Sequence, residues 1–325
     1  MKQFKELTNY FLSEFYVNNF KKQFFIQTIA LHKIFPSRKD INPINGIPLE
    51  SIDLIQFEYF ISYFTKRKIK FIDENDILNG LLNPLEKYIY LTFDDGYYNS
   101  FLVLDILKKY NAKATFFIST NHIEEQKSFW WDVQYRERMF QGKDTLYIKQ
   151  EINELYKMLW YEQEEYIIKT FGKNKLIPLS KLDRPITKEE LQMFSQHHSV
   201  CIGNHTHNHL NTTHYRKKEL IESINIAHQF LEESIQKPIQ SIAYPYGHYN
   251  EDVIETMNEL TYRIGLTVDF GRNNLEQITI PNQALKIKRI SIDGKFDIQN
   301  QLHNIAYGFS FLNKINKTLY NKTRR

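Results

Sequence analysis

Hydrophobic and polar positions fall into blocks along the chain, and from residue 88 onward the blocks alternate between two periods. Tyr88-Ile89-Tyr90-Leu91-Thr92-Phe93 is a continuous apolar run that stops at Asp94-Asp95-Gly96, and Ala114-Thr115-Phe116-Phe117-Ile118 is another. Short apolar runs bounded by turn residues predict buried strands. Similar segments recur at residues 199–202, 241–246, 263–268 and 285–292. Between them the spacing becomes helical, over 101–110, from Lys188, over 218–236 and over 251–262. Leu220, Ile224, Ala227 and Leu231 stand at i, i+4, i+7 and i+11, one face of a 3.6-residue repeat. Thr187 with Glu190 three residues on predicts a capping box opening the helix from Lys188. Strands alternating with helices predict a parallel α/β sheet with crossover helices, either open or closed into a barrel.

Two stretches depart from the alternation. Residues 1–47 are rich in aromatics and end in the turn-prone Asn42-Pro43-Ile44-Asn45-Gly46, so an N-terminal helical extension is expected there. A helix over 51–66 then feeds the short run Ile69-Lys70-Phe71-Ile72. Residues 121–183 interrupt the main domain, which is expected to span 48–310. Ile148, Ile152, Leu155 and Leu159 keep helical spacing within this stretch, which predicts a helical insertion. Insertions of this kind lie over the mouth of an α/β domain more often than they alter its chemistry. There is no repeat of fixed period and no low-complexity tract.

Composition narrows the classes. The 325 residues are 42% hydrophobic and 25% charged, the usual shares for a globular protein with a sizeable core. A net charge of +4 is too weak to argue for nucleic acid. Cys201 is the one cysteine, which excludes an internal disulfide framework and a cysteine-cluster metal site. Polar residues interrupt the N-terminal apolar stretches, so no signal-peptide core is expected, and nothing approaches the roughly 18 apolar residues of a membrane span. The expected location is the cytoplasm. Lys314, Lys317, Lys322, Arg324 and Arg325 crowd a basic tail over 311–325, so weak peripheral association with an anionic membrane surface is a further expectation.

Two clusters can carry chemistry. Asp94 and Asp95 stand at the carboxyl end of a predicted strand, where α/β folds bind ligands. One carboxylate of such a pair can ligate a cation while the other accepts a proton from the same water; an Asp-Asp-Gly surface turn is the plain alternative. His205-Thr206-His207-Asn208-His209 also follows a predicted strand. In a helical turn His205 and His209 share a face and converge on one ion, with His207 directed elsewhere. Asp95 with two histidines makes a three-ligand set with open positions for water and substrate, as catalytic zinc requires. Ala243-Tyr244-Pro245-Tyr246-Gly247 is a third strand-end segment, whose turn can aim the Tyr246 N–H or ring into the cleft.

Thr92-Phe93-Asp94-Asp95-Gly96 resembles the first motif of the polysaccharide deacetylase family, the NodB-homology carbohydrate esterases. His205-Thr206-His207-Asn208-His209 matches that family's His-(Ser/Thr)-x-x-His motif, and Pro245-Tyr246-Gly247 its Pro-Tyr element. The likeness runs in order from about residue 50 to 292, and Ser128-Phe129-Trp130-Trp131-Asp132 resembles members with a helical insertion. The resemblance implies a distorted (β/α) barrel in which Asp95, His205 and His209 hold a divalent metal, Zn2+ foremost. It implies Asp94 as the base, Thr206 bracing the histidine loop and the Tyr246 N–H facing the oxyanion. The implied activity removes an N-acetyl group from an acetamido sugar in a glycan or glycan precursor; hydrolysis of another C–N bond and a silent carbohydrate-binding role are the alternatives. Neither the sugar nor an oligomeric state is written in the motifs.

The chain departs from the family pattern at two points. The arginine that orients the base is replaced by Ala243, and Arg289 on the predicted last strand is a candidate substitute. The late Leu-x-x-His that supplies the general acid has no match in 287–293, which leaves His248 and His303 as the histidines near that point in sequence.

Overall fold

The computed structural model describes residues 25–307. Its strands are β1 (Phe25–Leu31), β2 (Ile34–Phe35), β3 (Ile52–Asp53), β4 (Lys70–Ile72), β5 (Lys87–Phe93), β6 (Ala114–Ile118), β7 (Val200–Asn204), β8 (Ser241–Ala243), β9 (Ile264–Leu266) and β10 (Arg289–Ser291). Eight of these form one parallel sheet in the order β10-β1-β5-β6-β7-β8-β9, with β4 beside β5. β2 and β3 form a separate parallel pair. Ile287 bridges Leu266, and the Arg289 N–H donates to Asp269 O at 3.1 Å, so the segment entering β10 also lies on β9. The sheet is thereby a nearly closed (β/α) barrel.

Alternation along β5 separates two packing layers. Ile89, Leu91 and Phe93 join the large cluster shared with the helices, whereas Tyr88 and Tyr90 join Ile26, Phe117 and Leu266 inside the barrel. Thr92 and then Asp94 continue the inner face to its mouth. β1 is in register with β5, pairing Ile26 with Tyr88, Thr28 with Tyr90 and Ala30 with Thr92. The next residue on that face of β1 is His32.

β1 overturns the helical extension expected over 1–47 where the structure describes it. Phe25–Leu31 is buried throughout between β5 and β10, and the two-residue strand β2 and short 3-10 turns follow before residue 47. A strand covered on both faces reads as a continuous apolar run, which is how it passed for aromatic-rich helix. Residues 1–24 and the basic tail 311–325 lie outside the described residues, and the expected membrane association with them.

The helix Lys217–Ile235 buries Leu220, Ile224, Ala227 and Leu231, the face its spacing predicts. Leu220, Ile224 and Leu231 each contribute about 1.5–3 kcal/mol by leaving water. Thr187 accepts from the Glu190 N–H and Glu190 reaches back to the Thr187 N–H, closing the predicted capping box. The strand expected over 285–292 is shorter, because Pro281–Ala284 forms a helical turn and pairing with β1 begins only at Arg289.

The interruption folds into the helices Thr120–Glu125, Trp130–Phe140, Thr145–Leu155 and Trp160–Phe171. Its own core joins Phe129, Trp130, Trp131, Ile148, Ile152 and Leu155 to Tyr97 of the barrel. Leu159 is not on the Ile148 face as expected, since it caps the start of the next helix. Among the described residues, no helix is long and apolar enough to cross a membrane.

Candidate metal and catalytic site

Five strand ends meet at one mouth of the barrel. After β5 the chain turns sharply: Asp95 and Gly96 both take positive φ, at 75° and 88°. The Asp94 N–H donates to Leu31 O at 2.8 Å, fixing the turn to the end of β1. Both carboxylates are almost fully buried. Asp95 Oδ1 faces His209 Nε2 at 3.2 Å and His205 Nε2 at 3.4 Å.

The histidine segment is a loop and not the helical turn expected from the i, i+4 spacing. Thr206 and His209 are left-handed, with φ of 63° and 51°, which folds the segment back so that both imidazoles meet Asp95. Left-handed non-glycine residues cost on the order of 1–3 kcal/mol each and persist where surrounding structure holds them. Asn204 supplies part of that hold by accepting the Thr206 N–H at 2.7 Å, and Thr206 Oγ1 accepts the Leu210 N–H at 3.2 Å. His205 Nδ1 lies 2.8 Å from Ala243 O, so this nitrogen carries the proton and Nε2 presents a lone pair. His207 turns away to Thr120 Oγ1 at 2.8 Å.

At the end of β8, Pro245 and Gly247 shape a turn in which Tyr246 is also left-handed, with φ of 58°. A Cβ at Gly247 would overlap Val268, so the turn is pressed against the end of β9. The Tyr246 ring stands edge-on to His209 with centroids 4.7 Å apart.

Arg289 enters from β10. Its Nη1 donates to Asp94 Oδ1 at 2.8 Å, and its Nε donates to Thr267 O at 2.8 Å. Burial works against the charge of Asp94, but the Arg289 cation, His205 and the Arg289 hydrogen bond together hold its carboxyl below the usual range. Asp95 is held well below that range: burial opposes ionisation, and the close approach of His205 and His209 with the charge of His32 outweighs it.

One further group was missed in the sequence. His32, one residue past β1, places Nδ1 2.6 Å from Glu50 Oε1, and Glu50 Oε2 accepts the His32 N–H at 3.0 Å. Burial opposes its protonation, yet Glu50, Asp95 and Asp94 raise its pKa to about 10. His32 is therefore an imidazolium at neutral pH beside both carboxylates. The candidates nearest in sequence lie otherwise: His248 is exposed and bound to Asn211, and His303 is buried against Tyr307 in the helix Ile298–Tyr307. The available signal was the apolar run Phe25-Ile26-Gln27-Thr28-Ile29-Ala30-Leu31 ending at a histidine.

Asp95, His205 and His209 bring one oxygen and two nitrogens within 4.8 Å of one another, and among the described residues they are the one such group. Asp95 Oδ1 is buried without a hydrogen-bond donor. A carboxylate oxygen left unpaired in a dry site between two imidazole nitrogens is a costly arrangement that a cation relieves. One carboxylate and two imidazoles suit zinc and neighbouring divalent metals, so the residues fit such an ion.

The family model described as Polysaccharide deacetylase matches residues 82–265. The chain is 23% identical over 227 residues to a poly-beta-1,6-N-acetyl-D-glucosamine N-deacetylase of Staphylococcus aureus, a match covering 67% of this chain and 61% of that protein. The chain thus spans less than two thirds of the length of that relative. Among solved structures, a deacetylase from Streptococcus pyogenes in complex with acetate aligns over 86% of this chain and 97% of its own, with TM-score 0.59 and 19% identity. A polysaccharide deacetylase from Bacillus cereus aligns over 86% and 69%, with TM-score 0.58 and 15% identity.

Proposed function

The chain belongs to the polysaccharide deacetylase family, and on that premise we propose that it is a metal-dependent hydrolase removing the N-acetyl group from an acetamido sugar of a glycan. The observation that carries this reading is the convergence of Asp94, paired with Arg289, and His32, paired with Glu50, on the cluster of Asp95, His205 and His209. The N-acetylglucosamine polymer named for the Staphylococcus aureus relative is the substrate class of first choice.

Asp95, His205 and His209 would hold the divalent ion, with zinc favoured by the donor set. When bound, such an ion polarises the acetyl carbonyl and acidifies water. Asp94, kept ionised by Arg289, accepts the proton of the water that attacks the carbonyl carbon. The Tyr246 N–H donates to the oxyanion of the tetrahedral intermediate. His32 gives its proton to the sugar nitrogen as the C–N bond breaks, releasing acetate and the free amine. Base and acid differ because one carboxylate faces a guanidinium while the imidazole faces another carboxylate.

The test is incubation of the purified, zinc-loaded chain with a β-1,6-linked N-acetylglucosamine oligomer. Equal amounts of acetate and free amine are expected, with turnover lost in Asp94→Asn while zinc stays bound. Absence of both products across N-acetyl-sugar polymers would overturn the proposal.

A further inference from the structure

The segment Phe129-Trp130-Trp131-Asp132 opens the first long helix of the insertion, and the reaction above makes no use of it. Asp132 is fully buried and holds a fully buried cation, with Lys33 Nζ donating to its Oδ1 at 2.7 Å. The Ile47 N–H reaches the same oxygen at 2.8 Å, and the Tyr97 hydroxyl donates to Oδ2 at 2.7 Å. Tyr97 in turn accepts the indole N–H of Trp131 at 2.8 Å. The Lys33 ammonium also lies over the Tyr97 ring, 4.1 Å from its centroid. The Trp131 ring then packs on His209, with centroids 4.7 Å apart.

The two histidines of the cluster are fixed by different means. Histidines that hold metals almost always tie down their second ring nitrogen with a hydrogen bond. His205 does so through Ala243 O. His209 Nδ1 is buried with no hydrogen-bond partner among the described residues. Apart from the approach of Nε2 to Asp95, its ring is oriented by packing, between Trp131 and Tyr246. Trp131 cannot turn without breaking its bond to Tyr97, and Tyr97 is held by Asp132. Lys33 immediately follows His32 and Tyr97 is two residues past Asp95, so the same carboxylate also braces the backbone beside both.

We propose that Asp132, Lys33, Tyr97 and Trp131 form a positioning unit that sets the ring of His209, which makes the helical insertion part of the working site. The inference rests on the reading of Asp95, His205 and His209 as metal ligands. None of the four residues takes part in bond making; they act through His209 and the backbone next to His32.

Tyr97→Phe removes only the hydroxyl that joins Trp131 to Asp132. A double variant, K33M/D132L, removes the ion pair without leaving a buried charge unpaired, and serves if the first variant folds poorly. Each is titrated with Co2+ and its visible absorption spectrum recorded, then assayed with the N-acetylglucosamine oligomer. Both variants are expected to lose about 10–100-fold in Co2+ affinity, the usual effect of removing support behind a ligand, with altered cobalt bands. kcat should fall with KM within about two-fold, because the damage lies in ligand orientation and not in substrate binding. Leu146→Ala, on an exposed part of the insertion, should change none of these readings. Wild-type Co2+ affinity, spectrum and kcat in both variants overturn the positioning unit and leave the ligand reading intact. If the unaltered chain binds no Co2+, or binds it equally after Asp95, His205 and His209 are replaced, the ligand reading fails and the positioning unit with it.

Discussion

Replacing Glu50 by glutamine tests the role of His32 without touching the imidazole. Glu50 Oε1 lies 2.6 Å from His32 Nδ1, and the histidine side chain is 26% exposed. Taking charge centres about 4 Å apart and an effective dielectric constant near 20, the pair is worth about 4 kcal/mol, or about 3 pH units at about 1.36 kcal/mol each. Partial exposure screens this, so a drop of about 1–3 units is expected, the usual effect of an opposite charge at such range. The folded pKa, about 10, lies above the ordinary value of 6.5. The proton is therefore present at low pH and lost as pH rises, and a general acid with this pKa shapes the alkaline limb of the rate profile. A dication held by Asp95, His205 and His209 would bring that limb below pH 10. Glu50→Gln should move it a further 1–3 units or so toward acid, with kcat retained on the acid side where His32 stays protonated. The assay is kcat against pH at saturating oligomer, compared between the two proteins. An alkaline limb that stays in place would remove His32 as the acid.

Arg289→Met leaves the buried Asp94 without its cation, which should raise the Asp94 pKa, shift the acid limb of the profile upward by about 1–3 units and destabilise the fold by about 3–5 kcal/mol. The pH profile and urea denaturation read the two effects separately. Gly46 has φ of 79°, and a Cβ there would overlap Asp132 Oδ1 and Lys33 Nζ, so Gly46→Ala should lower Tm by several degrees in a thermal melt, about 1–3 kcal/mol. Ile224→Ala, in the fully buried face of the helix Lys217–Ile235, should cost about 2–5 kcal/mol in urea denaturation and leave zinc stoichiometry unchanged.

What the sequence made legible followed from periodicity and strand ends. Asp94 and Asp95 announce themselves because a buried strand stops at two carboxylates, and the imidazoles and the Pro-Tyr-Gly turn repeat that arrangement on later strands. Arg289 was reachable only as a substitute for the arginine that the family pattern has at Ala243, and the structure brings it to Asp94 from the first position of β10. His32 was hidden because Phe25–Leu31 was absorbed into an expected helix, although its β-branched and apolar residues suit a strand covered on both faces. The left-handed turns at Thr206 and His209 carry no local mark, since neither residue type demands positive φ; tertiary contacts impose it. The link from Trp131 to His209 is likewise tertiary, joining an insertion and a loop that are far apart in the chain.

The most direct test of the central claim is a crystal structure of the zinc-loaded chain with anomalous data at the zinc edge. One peak is expected between Asp95, His205 Nε2 and His209 Nε2, with bonds of about 2.0–2.2 Å to each. A map with no peak among these three side chains, or with the ion bound by other residues, contradicts the account.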